Sequence, residues 1–229
     1  MQTRLTALAV LGVLLCSGSF ASAATRNFKI GDEKSRDLVR FDSDAPLELI
    51  QGNTSKVTGS ITIDESTDLT KAPAATFDVD LASIDTGIPL RNEHMRDNFL
   101  HTAKFPKATF VLTKLVNPPK ALTPGKKFTV QAEGNFTLHG KTVAKKLPID
   151  ITYFTKCAAT EAKRSGCDLI QIKASFPVAF KDHDIPRPEA VFQKLADQVV
   201  VTVSATAYNQ VGTTSSKGAE SKPAGKTSK

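Results

Sequence analysis

The chain has 229 residues, enough for one domain or a small pair, and it carries a formal net charge of +7 at pH 7. Beyond the N-terminal segment, no stretch approaches the roughly 18 uninterrupted apolar residues of a membrane-spanning helix, which excludes a helical membrane protein. The chain contains 0 tryptophans and 2 tyrosines, whereas an outer-membrane barrel places belts of these residues at both interfaces, so the composition argues against such a barrel.

The N-terminal segment has the organisation of a secretory signal peptide. Arg4 precedes a short apolar run, and the small-x-small sequence ASA follows that run. This order predicts a signal peptide over residues 1–23, a mature chain that begins at Ala24, and a periplasmic or secreted protein. Lipid attachment at Cys16 is the alternative, although Leu15 occupies the position where a small residue is expected.

Alternation of apolar and polar residues dominates the rest of the chain, and helical periodicity is scarce. Such alternation gives each strand one buried and one solvated face, which is typical of antiparallel sheets. Several segments exceed the usual strand length, which favours a sheet closed into a barrel of about eight strands, although a two-layer sandwich also fits the pattern. The candidate strands, in chain order, are RNFKI, DLVRFDS, KVTGSITI, TFDVDLAS, ATFVLTKL, KFTVQAEGNFTLHG, KLPIDITYF, LIQIKASFPVAF and DQVVVTVSATAY.

One segment between two candidate strands departs from this alternation. Pro89 suits the first turn of a helix, and the residues after it place Met95 and Phe99, four apart, on one helix face. The helix must end before Pro106, because proline disfavours helical backbone at the residue that precedes it. The sequence therefore predicts a short amphipathic helix, whose natural place in a closed barrel is across one opening.

The histidines form no recognisable metal or catalytic pattern. His94 and His101 are seven residues apart, whereas helical zinc pairs lie four apart. His139 precedes Gly140 at a strand end, where a turn histidine commonly bonds to backbone. The nucleophile motif G-x-S-x-G does not occur in the sequence. We therefore expect no metal site, no catalytic residues and no enzymatic activity.

The two cysteines outside the signal peptide, Cys157 and Cys167, bracket a polar stretch that resembles the tip of a long hairpin. In an oxidising compartment an even pair of this kind predicts a disulfide, which stabilises so small a loop by about 2–3 kcal/mol. A redox pair would prefer C-x-x-C spacing, and a zinc site would need two further ligands nearby.

Lysines concentrate between Lys104 and Lys146, where nine lysines accompany a single acidic residue, Glu133. Such a block, the lysine block, is ordinarily a solvated face, but it could also attract anionic headgroups or an anionic membrane surface. Nucleic acid is a poor partner, because no basic-aromatic motif accompanies the charge. Residues 211–229 are rich in lysine and lack periodicity, which predicts a disordered tail.

Two longer stretches resemble the signature of the YceI-like proteins. They are SIDTGIPLRNEHMRDNFLHTAKFPKATF and, further along the chain, GNFTLHGKTVAKKLPI. The shared features are an S-I-D-T-G turn, an R-x-x-H-[LM] helix, a K-[FY]-P strand entry and a T-L-H-G hairpin. The matching positions are Ser83–Gly87, Arg91, His94, Met95, Lys104–Pro106, Phe110, Gly134 and Thr137–Gly140.

This resemblance implies a lipocalin-like, extended eight-stranded antiparallel β-barrel over residues 24–210, an all-β fold with the short helix across one end. It also implies a secreted or periplasmic protein whose long apolar pore holds an isoprenoid lipid, such as a polyprenol derivative or a quinone tail, without a cofactor. The segment KDHDIPRPEAVF departs from the family pattern near the penultimate strand, which leaves the ligand's identity open. A homodimer also stays open.

A polyisoprenoid needs a narrow apolar tube, because each buried CH2 unit contributes about 0.8 kcal/mol. We expect transport, storage or stress protection as the role. The alternatives are an envelope interaction module that uses the lysine block, or an enzyme that acts on an isoprenoid lipid. The residues of inward parity assigned to the lipid are Phe77, Val79, Phe110, Leu112, Phe128, Phe136, Leu138, Phe176, Val178 and Phe180.

The helix supplies the residues assigned to the mouth of the pore. Its charged side chains could meet a polar headgroup, or they could pin the helix to the ends of the strands by hydrogen bonds. The residues assigned to the mouth are Arg91, His94, Met95, Arg96 and Phe99.

Overall fold

The computed structural model describes residues 24–31, 36–155, 168–187 and 193–209, which build one antiparallel sheet of ten strands. The predicted signal peptide, the Cys157–Cys167 pair and the predicted tail lie outside the described residues. The strands are β1 (Thr25–Ile30), β2 (Leu38–Asp44), β3 (Leu49–Thr54), β4 (Val57–Asp64), β5 (Ala74–Asp80), β6 (Lys107–Val116), β7 (Lys127–Leu138), β8 (Lys141–Phe154), β9 (Leu169–Ala179) and β10 (Gln198–Asn209).

The sheet closes on itself because β1 pairs with both β4 and β10. Strands β4 to β10 follow one another in sequence order, so eight strands form a closed barrel and the predicted fold class is confirmed. One edge of β10 pairs with β9, and the other edge is divided between two strands. Along that second edge, Ala207–Asn209 pair with β1 and Val200–Ser204 pair with β2. The β2–β3 hairpin therefore extends the barrel wall at one end.

Strand β3 is the one strand of the ten without a counterpart among the predicted segments. Its sequence, LIQGNT, contains a glycine and an asparagine, both depleted in strands, and it lacks a clear alternation. Pairing with β2, from Val39–Thr54 to Asp44–Leu49, supplies the stabilisation that local propensity does not.

The alternation predicted for the strands corresponds to inward and outward faces of the barrel. In β7, Val130, Ala132, Phe136 and Leu138 are buried, and the odd-numbered residues between them face outward. A register shift in β6 between Leu112 and Lys114 interrupts this pattern. A bulge adds one residue to a strand, so the inward parity of β6 changes from even to odd beyond it.

One end of the barrel, the closed end, is filled by its own side chains. Leu69, Leu122 and Tyr153 are buried in one core cluster at the ends of the strands. Arg26 Nη1 donates to Tyr153 Oη at 2.7 Å, and Arg26 forms an ion pair with Asp168, which also accepts from the Tyr153 hydroxyl at 2.7 Å. The closed end therefore has an apolar floor sealed by a polar cluster.

The predicted helix lies at the opposite end, between β5 and β6. It begins at Pro89 as α1 (Pro89–His94) and continues as a π-helical turn, Met95–Phe99, in which Leu100 N–H donates to Met95 O at 2.9 Å. The helix ends well before Pro106, as expected. Among the described residues, no helix has the length and apolar character needed to cross a membrane.

The turn before the helix is held by a compact set of hydrogen bonds. Asn92 Oδ1 accepts from the backbone N–H and the hydroxyl of Thr86, while Asn92 Nδ2 and the Gly87 N–H both donate to Asp85. The Asn92 amide and the Gly87 N–H hold the pKa of the Asp85 carboxyl below its ordinary value. Asp85 also forms an isolated β-bridge with Asn53, which ties this turn to β3.

Candidate ligand-binding cavity

The barrel encloses a cavity of about 760 Å³ that runs from the closed end to the helix. This volume lies within the range of about 300–1,000 Å³ that is typical of small-molecule sites. Leu69, Leu122 and Ile63 line its inner part, and Ile88 and Leu90 line it at the helix. The cavity is therefore a tube along the barrel rather than a pocket in its wall.

Strand β9 shows how the alternation builds this tube. Every even-numbered residue of the strand, from Ile170 to Val178, lines the cavity. Eight residue steps at about 3.3 Å give roughly 26 Å along the strand, which a barrel tilt near 40° reduces to about 20 Å along the axis. The cavity is thus long and narrow, a shape suited to a linear apolar molecule.

Nine of the ten residues assigned to the lipid line the cavity; Phe128 does not. Phe128 has the expected inward parity, but it pairs with Ile151 at the start of β7, near the closed end. There it packs against the buried core, with Lys126 Nζ 5.1 Å from the centre of its ring. The residues that do line the cavity are Phe77, Val79, Phe110, Leu112, Phe136, Leu138, Phe176, Val178 and Phe180.

Four of the five residues assigned to the mouth also line the cavity: Arg91, His94, Met95 and Phe99. Arg96 does not, and its backbone carbonyl instead accepts a hydrogen bond from the Thr102 N–H at 2.9 Å.

Arg91 pins the helix to its surroundings. Its Nη1 donates to Glu48 Oε1 at 2.7 Å, its Nε to Thr86 Oγ1 at 3.0 Å and its Nη2 to Thr86 O at 2.9 Å. These hydrogen bonds attach the helix to its surroundings, which is one of the two roles that the sequence leaves open for this side chain. The bond to Glu48 joins α1 to the turn between β2 and β3.

Many lining residues were not in the assigned set. The strand residues among them, such as Ile61, Ile149 and Val203, follow the same alternation, so inward parity could have identified them. The mouth residues from irregular segments, Glu48 and Lys194, carry no periodic signal. Within the lining, polar side chains are confined to the mouth: Glu48, Thr86, Arg91, His94 and Lys194.

Three histidines form a linked group outside the cavity lining. His139 Nδ1–H donates to the His183 carbonyl at 3.0 Å, which leaves His139 Nε2 to accept from His101 Nδ1–H at 2.7 Å. His139 thus bonds to backbone, as expected of a turn histidine. Within the described ranges there is no group of three or more His, Cys, Asp or Glu residues that could hold a metal ion.

His183 is completely buried and lies edge-on to the Phe136 ring. Its Nδ1–H donates to Lys141 O at 3.2 Å, and its Nε2 has no hydrogen-bond partner among the described residues. Burial lowers the pKa of the His183 imidazole below its ordinary value of about 6.5, an effect that outweighs the opposing bond to Lys141. The native structure therefore favours the neutral ring.

This burial predicts acid-sensitive stability. A folded-state pKa below the unfolded value means that the unfolded chain binds more protons. The contribution of neutral His183 to the free energy of unfolding is therefore fully present above about pH 6.5 and is lost as pH falls below that value. The loss from one such group is at most about 1.4 kcal/mol per pH unit. In urea unfolding between pH 7.5 and 5.0, the free energy of unfolding of His183→Gln should fall less steeply with decreasing pH than that of the unsubstituted protein. His94→Gln, at an exposed position, is the control, and equal slopes in all three proteins would contradict the prediction.

Acidic residues neutralise most of the lysine block. Lys114 and Lys146 flank Glu133 and hold the pKa of its carboxyl below its ordinary value. Among the described residues, six of the nine lysines form ion pairs with acidic side chains, so the excess charge seen in the sequence is largely compensated in the fold. The pairs are Lys107–Asp78, Lys114–Glu133, Lys127–Asp150, Lys141–Asp184, Lys145–Asp182 and Lys146–Glu133.

Comparison with known proteins places these features in context. The model of the YceI-like domain matches residues 33–207 of the chain. A UPF0312 protein from Enterobacter sp. (strain 638) is 31% identical over 147 residues, which cover 62% of this chain and 68% of that protein.

Two solved structures are similar in fold. Burkholderia cenocepacia BcnA has a TM-score of 0.58 at 17% identity, covering 77% of this chain and 99% of that one. A polyisoprenoid binding domain from Saccharophagus degradans, implicated in plant cell wall breakdown, has a TM-score of 0.60 at 18% identity, covering 80% and 98% respectively. At these identities the likeness concerns the fold.

Proposed function

The chain belongs to the YceI-like family, and from this premise we propose that it is a periplasmic or secreted protein that holds the hydrocarbon chain of an isoprenoid lipid inside its barrel. The observation that carries the proposal is the apolar cavity of about 760 Å³ along the barrel. The polyisoprenoid binding domain of similar fold supports the same ligand class.

The distribution of polar groups sets the orientation of the ligand. The hydrocarbon chain of the ligand lies in the inner part of the tube, where each CH2-sized unit removed from water contributes about 0.8 kcal/mol to binding. A polar headgroup stays at the mouth, because a buried polar group without hydrogen-bond partners costs about 1–3 kcal/mol. Glu48, Thr86, His94 and Lys194 supply polar groups there.

A carrier role, in transport, storage or protection of the lipid, fits this arrangement better than catalysis. The inner lining presents aliphatic and aromatic side chains, which exclude water from the chain but offer no group that attacks or protonates it. The compensated charge of the lysine block also removes the main support for an electrostatic interaction module.

Mass spectrometry of the purified protein tests the proposal. Native spectra, or organic extracts of protein purified without detergent, should contain a prenyl chain, either a polyprenol derivative or a quinone. Protein stripped by organic extraction should bind an added nine-unit polyprenol at about one molecule per chain. An empty protein that also ignores the added polyprenol would refute the proposed function.

A further inference from the structure

The most exposed large apolar side chains lie together at the mouth of the cavity. Among the described residues the four largest exposures belong to Leu47 (67%), Leu90 (60%), Leu49 (58%) and Ile88 (48%). All other exposed large apolar residues are at 43% or less. Single exposed leucines are ordinary, but four around one opening form an apolar patch that calls for a partner.

These four residues, the apolar rim, come from two segments that the fold joins. Leu47 belongs to the turn between β2 and β3 and Leu49 begins β3, while Ile88 and Leu90 lie at the start of α1. Between them, Arg91 Nη1 donates to Glu48 Oε1 at 2.7 Å. Leu47 N–H donates to Gln193 O at 2.9 Å, which brings a third segment to the mouth.

Two residues of the apolar rim continue the cavity lining to the outside. Ile88 and Leu90 line the cavity with one part of their surface and are exposed to solvent with another. Glu48 and Ile50 also line the cavity, so Leu47 and Leu49, which alternate with them along the chain, lie on the outward side of the same segment, beside the opening. A ligand that leaves the cavity therefore passes Ile88 and Leu90, next to Leu47 and Leu49.

We propose that the apolar rim docks on the surface of a lipid bilayer, so that an isoprenoid chain passes between bilayer and cavity without crossing water. This inference rests on the proposed function. Exposing a polyisoprenoid to water costs about 0.8 kcal/mol for each CH2 unit. Direct contact between the mouth and the bilayer avoids this exposure, which is the largest barrier to transfer. Exposed apolar side chains at the interface are what such docking requires.

The charges at the mouth suit an apolar rather than an electrostatic contact. Arg91 and Glu48 neutralise each other, and the guanidinium is further satisfied by Thr86. Lys194 is exposed and can keep its ammonium group at the headgroup level while its methylene stem contacts the apolar region. Docking should therefore occur on uncharged bilayers and depend little on salt.

Vesicle sedimentation tests the docking surface. The full protein should sediment with vesicles of phosphatidylcholine alone, equally at 50 and 500 mM NaCl. Leu47→Asp and Leu49→Asp should each lower the partition coefficient about tenfold, since each removes a leucine from the interface. Val111→Asp and Val200→Asp are matched controls, because both valines are 43% exposed on the outer barrel wall, and they should leave the partition coefficient unchanged.

Uptake measurements separate docking from ligand binding. Leu47 and Leu49 do not line the cavity, so their aspartate variants should bind nine-unit polyprenol added from ethanol with unchanged affinity. The same variants should extract that polyprenol from phosphatidylcholine vesicles at least tenfold more slowly. Vesicle binding that depends on the apolar rim, in a protein that binds no polyprenol, would support docking while refuting the proposed function.

Three results would overturn the docking proposal. The first is a protein that does not sediment with vesicles at either salt concentration. The second is equal extraction rates for rim and wall variants. The third is a dimer in solution that Leu49→Asp dissociates without any effect on vesicle binding, since the apolar rim would then be the contact between two copies.

Discussion

Replacing Ala174 by tryptophan should lower the affinity for a long isoprenoid chain by about 100-fold while leaving the barrel folded. Ala174 lies midway along the lining of β9, and its cross-strand neighbours Ile149 and Val203 also face the cavity. An indole there would occupy the space of several chain carbons and separate the inner half of the tube from the mouth. Loss of about four buried CH2 units corresponds to a factor of this size.

Ser175→Trp is the matched control for this substitution. Ser175 is the next residue on the same strand and is exposed on the outer wall, so the same side chain is added outside the cavity. Titration with nine-unit polyprenol should show normal affinity for Ser175→Trp and the loss for Ala174→Trp, with similar urea unfolding curves. Equal affinity in both variants would mean that the ligand does not occupy the middle of the barrel.

Gly134→Ala should lower the free energy of unfolding by about 3 kcal/mol, the upper part of the range for overpacked interiors. A β-carbon at Gly134 would lie 2.4 Å from Phe110 Cζ and 2.5 Å from the Val111 carbonyl oxygen. The phenylalanine ring could rotate away, but the carbonyl belongs to the neighbouring strand and cannot move without disrupting its ladder. The variant therefore separates β6 from β7 next to the bulge.

Urea unfolding followed by circular dichroism measures this loss. Asn135→Ala, at the adjacent outward-facing position, should change the free energy of unfolding by no more than about 0.5 kcal/mol. A similarly small change for Gly134→Ala would show that β6 and β7 tolerate a wider separation than their pairing indicates.

Strand alternation made most of the barrel predictable from the sequence. Where a strand pairs regularly on both sides, as β9 does with β8 and β10, parity alone decides which residues face the cavity. Leu115 shows the limit of this approach, because the bulge after Leu112 brings it, rather than Lys114, to the cavity. A bulge depends on the pairing of two strands and leaves no simple mark in one of them.

Depth along the barrel and the make-up of the mouth were harder to predict. Phe128 has the correct parity, but its distance from the cavity depends on how Leu122 and Tyr153 fill the closed end. Glu48 and Lys194 lie in irregular segments and reach the mouth only through long-range contacts. Such positions are set by the tertiary arrangement, which periodicity in one segment does not encode.

The closed end has a consequence for the order of events during exchange. In the part of the chain that the structure describes, Arg26, Tyr153 and Asp168 close the tube behind its apolar floor, which leaves the mouth as the route for a ligand. A linear lipid whose polar headgroup stays at the mouth enters with its hydrocarbon end first. It leaves with its polar end first. A bound ligand therefore has to leave before another can occupy the full length of the tube.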